Sequence, residues 1–111
     1  MILFKPEHAA LILDGTKTQT RRIWKRPRAK VGSIHLAKTK MLSKEYFARL
    51  EILEVGHERL GDITDEDANA EGYRSALAYL FAFQQINKFP EDKFSEMCDM
   101  MVWKVKFRVV S

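Results

Sequence analysis

The chain has 111 residues and a net charge of +4, with 46% hydrophobic and 11% aromatic residues. This length is typical of one domain, so we predict a single domain over residues 1–111, and the composition excludes a disordered or fibrous chain. No run of about 20 apolar residues could span a membrane, and the first residues lack the pattern of a secretion signal. A single cysteine, Cys98, excludes an internal disulfide and a cysteine-based zinc site. The sequence therefore predicts a protein of the reducing cytoplasm.

Positive charge is concentrated in the first part of the chain. Residues 1–44 carry a net charge of +9, whereas residues 45–111 carry −5. The densest segment, residues 17–30, contains seven lysines and arginines and no acidic residue. Such a block is typical of a site for a polyanion, because each neutralised phosphate releases counterions. The alternative is a solvated basic loop that keeps the protein soluble, although ordinary surfaces intersperse both signs.

The first half of the chain predicts three short strands and one helix. A short apolar strand over residues 1–4 precedes a helix that begins near Pro6 and ends before Gly15, which suits the left-handed position past a helix end. Alternating β-branched and polar residues predict a strand over residues 18–23. The apolar residues expected on the buried side of the helix are Ala10, Leu11 and Leu13. The remaining segments are a basic loop at residues 23–30, a turn at 31–33 and a strand over 34–40.

The second half predicts two strands and two helices. A β-type stretch over residues 45–58 is followed by a helix from Thr64 to Gly72, whose first backbone N–H groups the Thr64 hydroxyl can cap. Ser75 can cap a helix that continues to about residue 87, and this helix is apolar almost all round, so we expect it to be buried or to lie in an interface. The last strand, residues 101–109, alternates cleanly. Its predicted apolar face is Met101, Trp103, Val105, Phe107 and Val109, and its polar face is Lys104, Lys106 and Arg108.

About five strands and three helices that do not strictly alternate predict a small α+β fold or a partly closed barrel. The scattered His8, His35 and His57 lack the spacing of metal ligands, and glycine-rich nucleotide-binding motifs are missing from the sequence, so we predict no metal and no cofactor. Cys98 lies among methionines and is predicted to be a buried structural thiol.

The residues best able to carry chemistry lie just after the first helix. Arginine forks match phosphate bidentately, whereas Lys17 is a point charge or, if desolvated, a base. Thr20 can act as a nucleophile where a base takes its proton. The alternative is an ordinary strand start in which threonine is favoured by β-propensity. The hydroxyl and cationic residues of this segment are Lys17, Thr18, Thr20, Arg21 and Arg22.

Glu71 is an unusual acidic residue, because it lies at the C-terminal end of a predicted helix, where the helix dipole disfavours a negative charge. A carboxylate in that position indicates a compensating cation or a functional role. The cations available for it are Lys17, Arg21 and Arg22.

Taken together, these segments resemble a known family. Residues 13–22 match the L-x-G-x-K-T-x-T-x-R part of the signature I-L-x-G-x-K-T-x-T-x-R. Leu60-Gly61-Asp62-Ile63-Thr64, Asp67-Ala68-x-x-Glu71-Gly72-Tyr73 and the closing strand follow in the family's order. Over essentially its whole length the sequence is similar to the ASCH domain, a branch of the PUA-like superfamily, as found in small stand-alone proteins of bacteria, archaea and phages. The resemblance implies a PUA-like β-barrel of about five to six strands, with flanking helices and a cleft beneath the signature segment.

The function that this resemblance implies is binding of RNA or of a nucleotide or nucleoside in the cleft. Together with the basic block, it predicts a ligand-binding set drawn from the signature and the loop that follows it. The predicted binding residues are Lys17, Thr18, Thr20, Arg21, Arg22, Lys25, Arg26, Arg28 and Lys30.

Two alternative functions stay open, and the resemblance leaves open whether the protein is an enzyme. A characterised relative, the bacterial acetylcytidine amidohydrolase, uses a lysine, a threonine and a glutamate that correspond to Lys17, Thr20 and Glu71. A hydrolase of acylated cytidine or a related nucleoside would use Lys17 as the base on Thr20. The consecutive Arg21 and Arg22 depart from that enzyme, which has an aliphatic residue before a single arginine. The second alternative is a protein-interaction module that docks through residues 76–83.

Overall fold

Residues 1–110 are described by a computed structural model and form five strands and four α-helices. The strands are β1 (Ile2–Leu3), β2 (Gln19–Arg22), β3 (Ile34–Lys38), β4 (Ala48–Arg59) and β5 (Met101–Val109). The helices are α1 (Pro6–Leu13), α2 (Asp65–Ala70), α3 (Ala76–Ile86) and α4 (Phe94–Cys98), with 3₁₀ turns at Leu60–Asp62 and Glu91–Lys93. No helix within the described residues is long and apolar enough to cross a membrane.

The five strands form one sheet in the order β1-β3-β4-β5-β2, which curls into a half-barrel. The pair β1 and β3 is parallel, and the other neighbouring pairs are antiparallel. The long strands β4 and β5 lie side by side in the middle, with a β-bulge between Ile52 and Glu54. The short strand β2 lies at the edge of the sheet, so one of its long sides faces no other strand. The predicted α+β fold with a small barrel is confirmed.

Two apolar cores lie on opposite faces of this sheet. One is inside the curl, where alternate residues of β4 and β5, such as Ile52, Val105 and Phe107, pack against Phe4. The other lies between the sheet and the helices, where Val102 joins side chains of α2, α3 and α4. β5 therefore contributes to both cores, through Val105 and Phe107 on one face and through Val102 on the other.

Helix ends follow the capping residues that the sequence predicts. The Thr64 hydroxyl accepts a hydrogen bond from the Asp67 N–H (3.0 Å), and the Ser75 hydroxyl accepts one from the Ala78 N–H (3.1 Å). Gly15 follows α1 with a φ of +86°, a conformation that favours glycine. The helix bounds predicted from these residues are therefore confirmed to within one or two positions.

The predicted buried faces need three corrections. In α1 the buried side chain is Ile12, whereas Ala10 and Leu13 are exposed and Leu11 is half-buried. In β5, Met101 and Val109 are exposed at the strand ends. Val102 belongs to the predicted polar face but is buried, because the helices cover that face at the start of the strand.

Three further differences concern the last third of the chain. The sequence analysis did not predict α4, which has five residues and no side-chain cap. The residue Cys98 at its end is half-buried rather than buried, and it packs beside the helical core. In α3 the buried side chains are Tyr79, Leu80, Phe83 and Gln84, while Leu77, Phe81 and Ile86 are exposed.

Candidate functional site

The segment that leads into β2 is held between two helices and the last strand. The Lys17 N–H donates to the Leu11 carbonyl oxygen (2.9 Å), and the Thr18 N–H donates to the Ala70 carbonyl oxygen (2.8 Å). The Thr18 carbonyl oxygen accepts from the Phe107 N–H (3.0 Å). These main-chain bonds join α1, α2 and β5, and they bring the signature segment to the C-terminal end of α2, where Glu71 lies.

Lys17 and Glu71 form a buried ion pair. The ammonium Nζ lies 2.7 Å from Glu71 Oε1 and also donates to the Glu71 carbonyl oxygen at 3.1 Å. The two side chains are only 2% and 3% exposed. Glu71 is the C-cap residue of α2, so Lys17 neutralises both its carboxylate and the negative end of the helix.

Arg21 is the centre of a second set of ion pairs on the same carboxylate. Its guanidinium donates from Nη1 to Glu71 Oε2 (2.9 Å), from Nη2 to Asp67 Oδ2 (3.1 Å) and from Nε to Glu58 Oε1 (2.6 Å). Its side chain is 0% exposed. Gln19 completes the cluster, because its amide oxygen accepts from Arg21 Nη1 (3.0 Å) and its amide nitrogen donates to Asp67 (3.1 Å). Glu71 is thus held by a cation on each oxygen.

Thr20 and Arg22 project from the other face of β2, since successive side chains of a strand alternate. The Thr20 hydroxyl accepts a hydrogen bond from Arg22 Nε (2.9 Å), and Arg22 Nη2 donates to the Leu3 carbonyl oxygen (2.6 Å). The guanidinium carbon also lies 5.0 Å from the centre of the Phe4 ring. Within residues 1–110, no hydrogen bond joins Thr20 to Lys17.

A cavity of about 300 Å³ lies beside β2. Side chains from both faces of the strand line it, with Thr20 and Arg22 from one face and Arg21 from the other. Its polar wall contains the buried Lys17–Glu71 pair, and its apolar wall contains aromatic side chains from the N-terminal segment and α3. Its size falls at the lower end of the range of small-molecule sites. The polar lining residues include His8, Lys17, Thr20, Arg21, Arg22, Glu71 and Asn87, and the aromatic ones are Phe4, Tyr73, Tyr79 and Phe83.

Burial shifts the proton affinities of the cavity groups. It lowers the pKa of Lys17 below the ordinary lysine value, although the charge of Glu71 opposes the shift. Burial, with the nearby charge of Lys17, lowers the pKa of His8 to about 4, so its imidazole is neutral at pH 7. The His8 Nε2 atom lies 3.3 Å from the Tyr73 hydroxyl. Burial also raises the pKa of Tyr79 well above the ordinary tyrosine value.

The predicted binding residues divide into two groups. Lys17, Thr20, Arg21 and Arg22 line the cavity. The Thr18 side chain is exposed next to it, and the cations of the following loop lie outside the cavity wall. These exposed loop residues are Lys25, Arg26, Arg28 and Lys30. The three cations proposed as partners of Glu71 also divide, because Lys17 and Arg21 contact it within 3 Å and Arg22 does not.

Several residues of the site were not predicted from the sequence. Asp67 precedes Glu71 by four positions, so both lie on one face of α2, and this spacing was a usable signal. Glu58 joins the cluster from β4, and His8 joins the cavity from α1, by tertiary contacts that no local pattern indicates.

The predicted basic face of β5 is partly neutralised, because Lys104 and Lys106 lie within 4.0 Å of carboxylates of Glu54 or Asp67. Within the described chain, no group of three or more His, Cys, Asp and Glu side chains is placed to hold a metal ion.

Comparison with known proteins gives matches to structures alone. No family model matches the sequence, and no curated protein sequence is significantly similar to it. The chain is similar in structure to the ASCH domain from Lactobacillus crispatus JV V101, with a TM-score of 0.63 and 21% identity over 92% of this chain and 69% of that one.

Two further structures match over nearly the whole chain. A DUF984 protein from Enterococcus faecalis V583 has a TM-score of 0.65 and 14% identity over 99% of this chain and 82% of that one. The Y47F mutant of an ASCH protein from Zymomonas mobilis has a TM-score of 0.55 and 13% identity over 96% of this chain and 66% of that one. The chain therefore has the fold of these ASCH domain structures.

Proposed function

We propose that the protein binds an unpaired nucleobase, from RNA or from a free nucleotide, in the cavity along β2. The observation that carries this proposal is the pairing of an aromatic wall with a buried Lys17–Glu71 wall in a space of about 300 Å³. Aromatic rings favour a flat base, and a fixed donor and acceptor favour its polar edge. The fold shared with ASCH domain structures is consistent with this proposal.

The exposed loop after β2 supports the choice of a nucleic-acid ligand. Lys25, Arg26, Arg28 and Lys30 are exposed, and within residues 1–110 they take part in no ion pair. Cations of this kind attract a phosphate backbone with little sequence preference. In this proposal the cavity binds the base and the loop binds neighbouring phosphates.

The proposal is tested by blocking the cavity from its rim. Ile86 lines the cavity and is 43% exposed, so Ile86→Trp should fill part of the space at small cost in stability. Leu77 lies on the same helix, is 56% exposed and does not line the cavity, which makes Leu77→Trp the matched control.

Titration calorimetry with the four ribonucleoside monophosphates and a short single-stranded RNA measures the effect. We expect binding by the wild type and by Leu77→Trp, and at least tenfold weaker binding by Ile86→Trp. A wild type that binds none of these ligands at low salt would overturn the proposed function.

Hydrolysis of an acylated nucleoside is the second candidate function. The lowered pKa of Lys17 favours it, because the ammonium then more readily loses the proton that it must give up before it can act as a base. Release of acetate from N4-acetylcytidine tests this candidate. If Thr20 is the nucleophile, Thr20→Ala should abolish turnover and Thr20→Ser should retain part of it. Equal rates for the wild type and Thr20→Ala would exclude that role.

A further inference from the structure

Arg22 differs from Lys17 and Arg21 in having no carboxylate partner. Lys17 and Arg21 each lie within 3 Å of a carboxylate oxygen. Across residues 1–110, no carboxylate lies within 4.0 Å of the Arg22 guanidinium, and its hydrogen bonds go to the neutral oxygens of Thr20 and Leu3. The positive charge of Arg22 is therefore unpaired, and the Glu71 carboxylate acts on it only from beyond 4.0 Å.

The guanidinium of Arg22 is also held in a fixed position. Nε and Nη2 are fixed by hydrogen bonds to Thr20 and to the Leu3 carbonyl, and Phe4 lies under the guanidinium plane. Within the described chain these bonds leave Nη1 for solvent or for a ligand in the cavity. Burial of the guanidinium lowers the pKa of Arg22, which reflects the cost of a charge with little water around it. An anion in the cavity would offset that cost.

We propose that the cavity binds an anionic ligand whose phosphate group is held by Arg22. Resting on the proposed function, this assigns the ligand as a nucleotide, either free as a nucleoside monophosphate or within RNA as a phosphodiester, rather than a neutral nucleoside. Guanidinium donors suit phosphate oxygens, and the exposed Lys5 at the cavity wall adds a second positive charge.

The neighbouring carboxylate does not oppose this assignment. Glu71 also lines the cavity, but Lys17 and Arg21 each bind one of its oxygens, so little of its negative charge is left to repel a phosphate. His8 is neutral at pH 7 and adds no further charge there. The side of the cavity near Arg22 therefore has a net positive charge.

The test compares matched ligands on matched variants. Titration calorimetry is done with each nucleoside, its 5′-monophosphate and a dinucleotide that carries one phosphodiester, on wild type, Arg22→Met and Arg49→Met. We expect the wild type to bind the monophosphate or the dinucleotide at least tenfold more tightly than the nucleoside, as is typical of a charged hydrogen bond. The preference should fall below about threefold in Arg22→Met and stay unchanged in Arg49→Met, because Arg49 is an exposed residue of β4 that neither lines the cavity nor belongs to the phosphate-binding loop.

The two phosphate sources are separated by the same data. Tighter binding of the monophosphate supports a free nucleotide, and tighter binding of the dinucleotide supports RNA. Equal binding of nucleoside and phosphorylated ligands by the wild type would overturn the role of Arg22 and leave the nucleobase proposal standing.

A second measurement does not depend on nucleobase binding. The Nε–H signal of Arg22 in ¹⁵N NMR should shift when inorganic phosphate is added to the wild-type protein, and this covers the case in which Arg22→Met fails to fold. A shift without any nucleotide binding would support the anion site and overturn the nucleobase proposal. The absence of a shift at millimolar phosphate would count against the anion site itself.

Discussion

Arg21 is a fully buried cation whose charge is offset by three carboxylates. Removing one partner of a buried ion pair is far more costly than the net value of the pair, because the remaining charges stay desolvated. In Arg21→Met, the carboxylates of Glu58, Asp67 and Glu71 would all lose this partner. We therefore expect the free energy of unfolding, measured with urea, to fall by about 3–5 kcal/mol.

An exposed arginine provides the control for this prediction. Arg108 lies 2.6 Å from Glu51 but its side chain is 63% exposed. Water screens such a pair, so Arg108→Met should lower the free energy of unfolding by at most about 1 kcal/mol. Equal losses in the two variants would mean that the Arg21 cluster contributes no more to stability than a surface ion pair.

Because the pKa of His8 is lowered, the protein should become less stable as the pH falls. The pKa of His8 is about 4 in the folded protein, whereas the unfolded chain binds a proton near the ordinary histidine pKa of 6.5. Between these values the unfolded state holds more protons, so protonation favours unfolding. The contribution of His8 to stability should therefore be complete above pH 6.5, decrease as the pH falls and level off below about pH 4.

NMR titration of the His8 ring protons tests the shift directly, with an expected midpoint near pH 4. Urea unfolding at several pH values should then show a shallower loss of stability in His8→Gln than in the wild type over that range. A midpoint near 6.5 for His8 would show that burial does not disfavour its charged form.

At the scale of the elements, the site depends on how the end of α2 meets α1. Gly72 follows α2 with a φ of +97°, and a Cβ atom at this position would lie 2.8 Å from Leu11 Cδ1. Gly72→Ala therefore combines backbone strain with a contact that forces the Leu11 side chain to shift, and we expect the free energy of unfolding, measured by heat or urea, to fall by about 1–3 kcal/mol. Gly56→Ala is the control, because that position has no atom within 4 Å of the added Cβ and no positive φ. A Gly72→Ala protein as stable as Gly56→Ala would contradict the strain.

The elements were predictable from the sequence where the signal was local. Thr64, Ser75 and Gly15 mark helix ends through hydrogen bonds or φ values that involve only neighbouring residues. The alternation in β5 located the strand, but the burial of Val102 depends on helices that pack from elsewhere in the chain. Short α4 has no cap and little length for a periodic pattern, so it left no comparable signal.

In the candidate site, too, local signals were informative, whereas tertiary contacts left no signal in the sequence. The odd position of Glu71 at a helix C-terminus indicated a nearby cation, and Lys17 and Arg21 occupy that role. Glu58 and His8 come from distant parts of the chain, and only the pairing of strands and the packing of α1 bring them in. Strand alternation places Arg21 and Arg22 on opposite faces of β2, but the sequence could not show that carboxylates surround Arg21 whereas neutral oxygens surround Arg22.

At the scale of the whole molecule, the predicted basic block does not act as one surface. Lys17 and Arg21 are neutralised inside the protein, so the cations of this segment without an ion pair in the described residues are Arg22 and those of the exposed loop. Phosphate contacts by a polyanion therefore depend on fewer residues than the net charge of the segment suggests. The five cations concerned are Arg22, Lys25, Arg26, Arg28 and Lys30.

The salt dependence of RNA binding measures how many of these cations are used. If all five neutralise phosphates of a single strand, the slope of log affinity against log salt should be about −3.5. Replacing the four loop residues by alanine leaves only Arg22, and the slope should flatten to about −0.7.

A control with the same loss of charge elsewhere, at the exposed Lys40, Lys44, Lys88 and Lys93, should keep the steep slope. Fluorescence anisotropy with a labelled oligonucleotide at several salt concentrations gives each value. A wild-type slope near zero would show that phosphate contacts do not drive binding. Equal flattening in both variants would show that net charge, rather than the loop after β2, attracts the RNA.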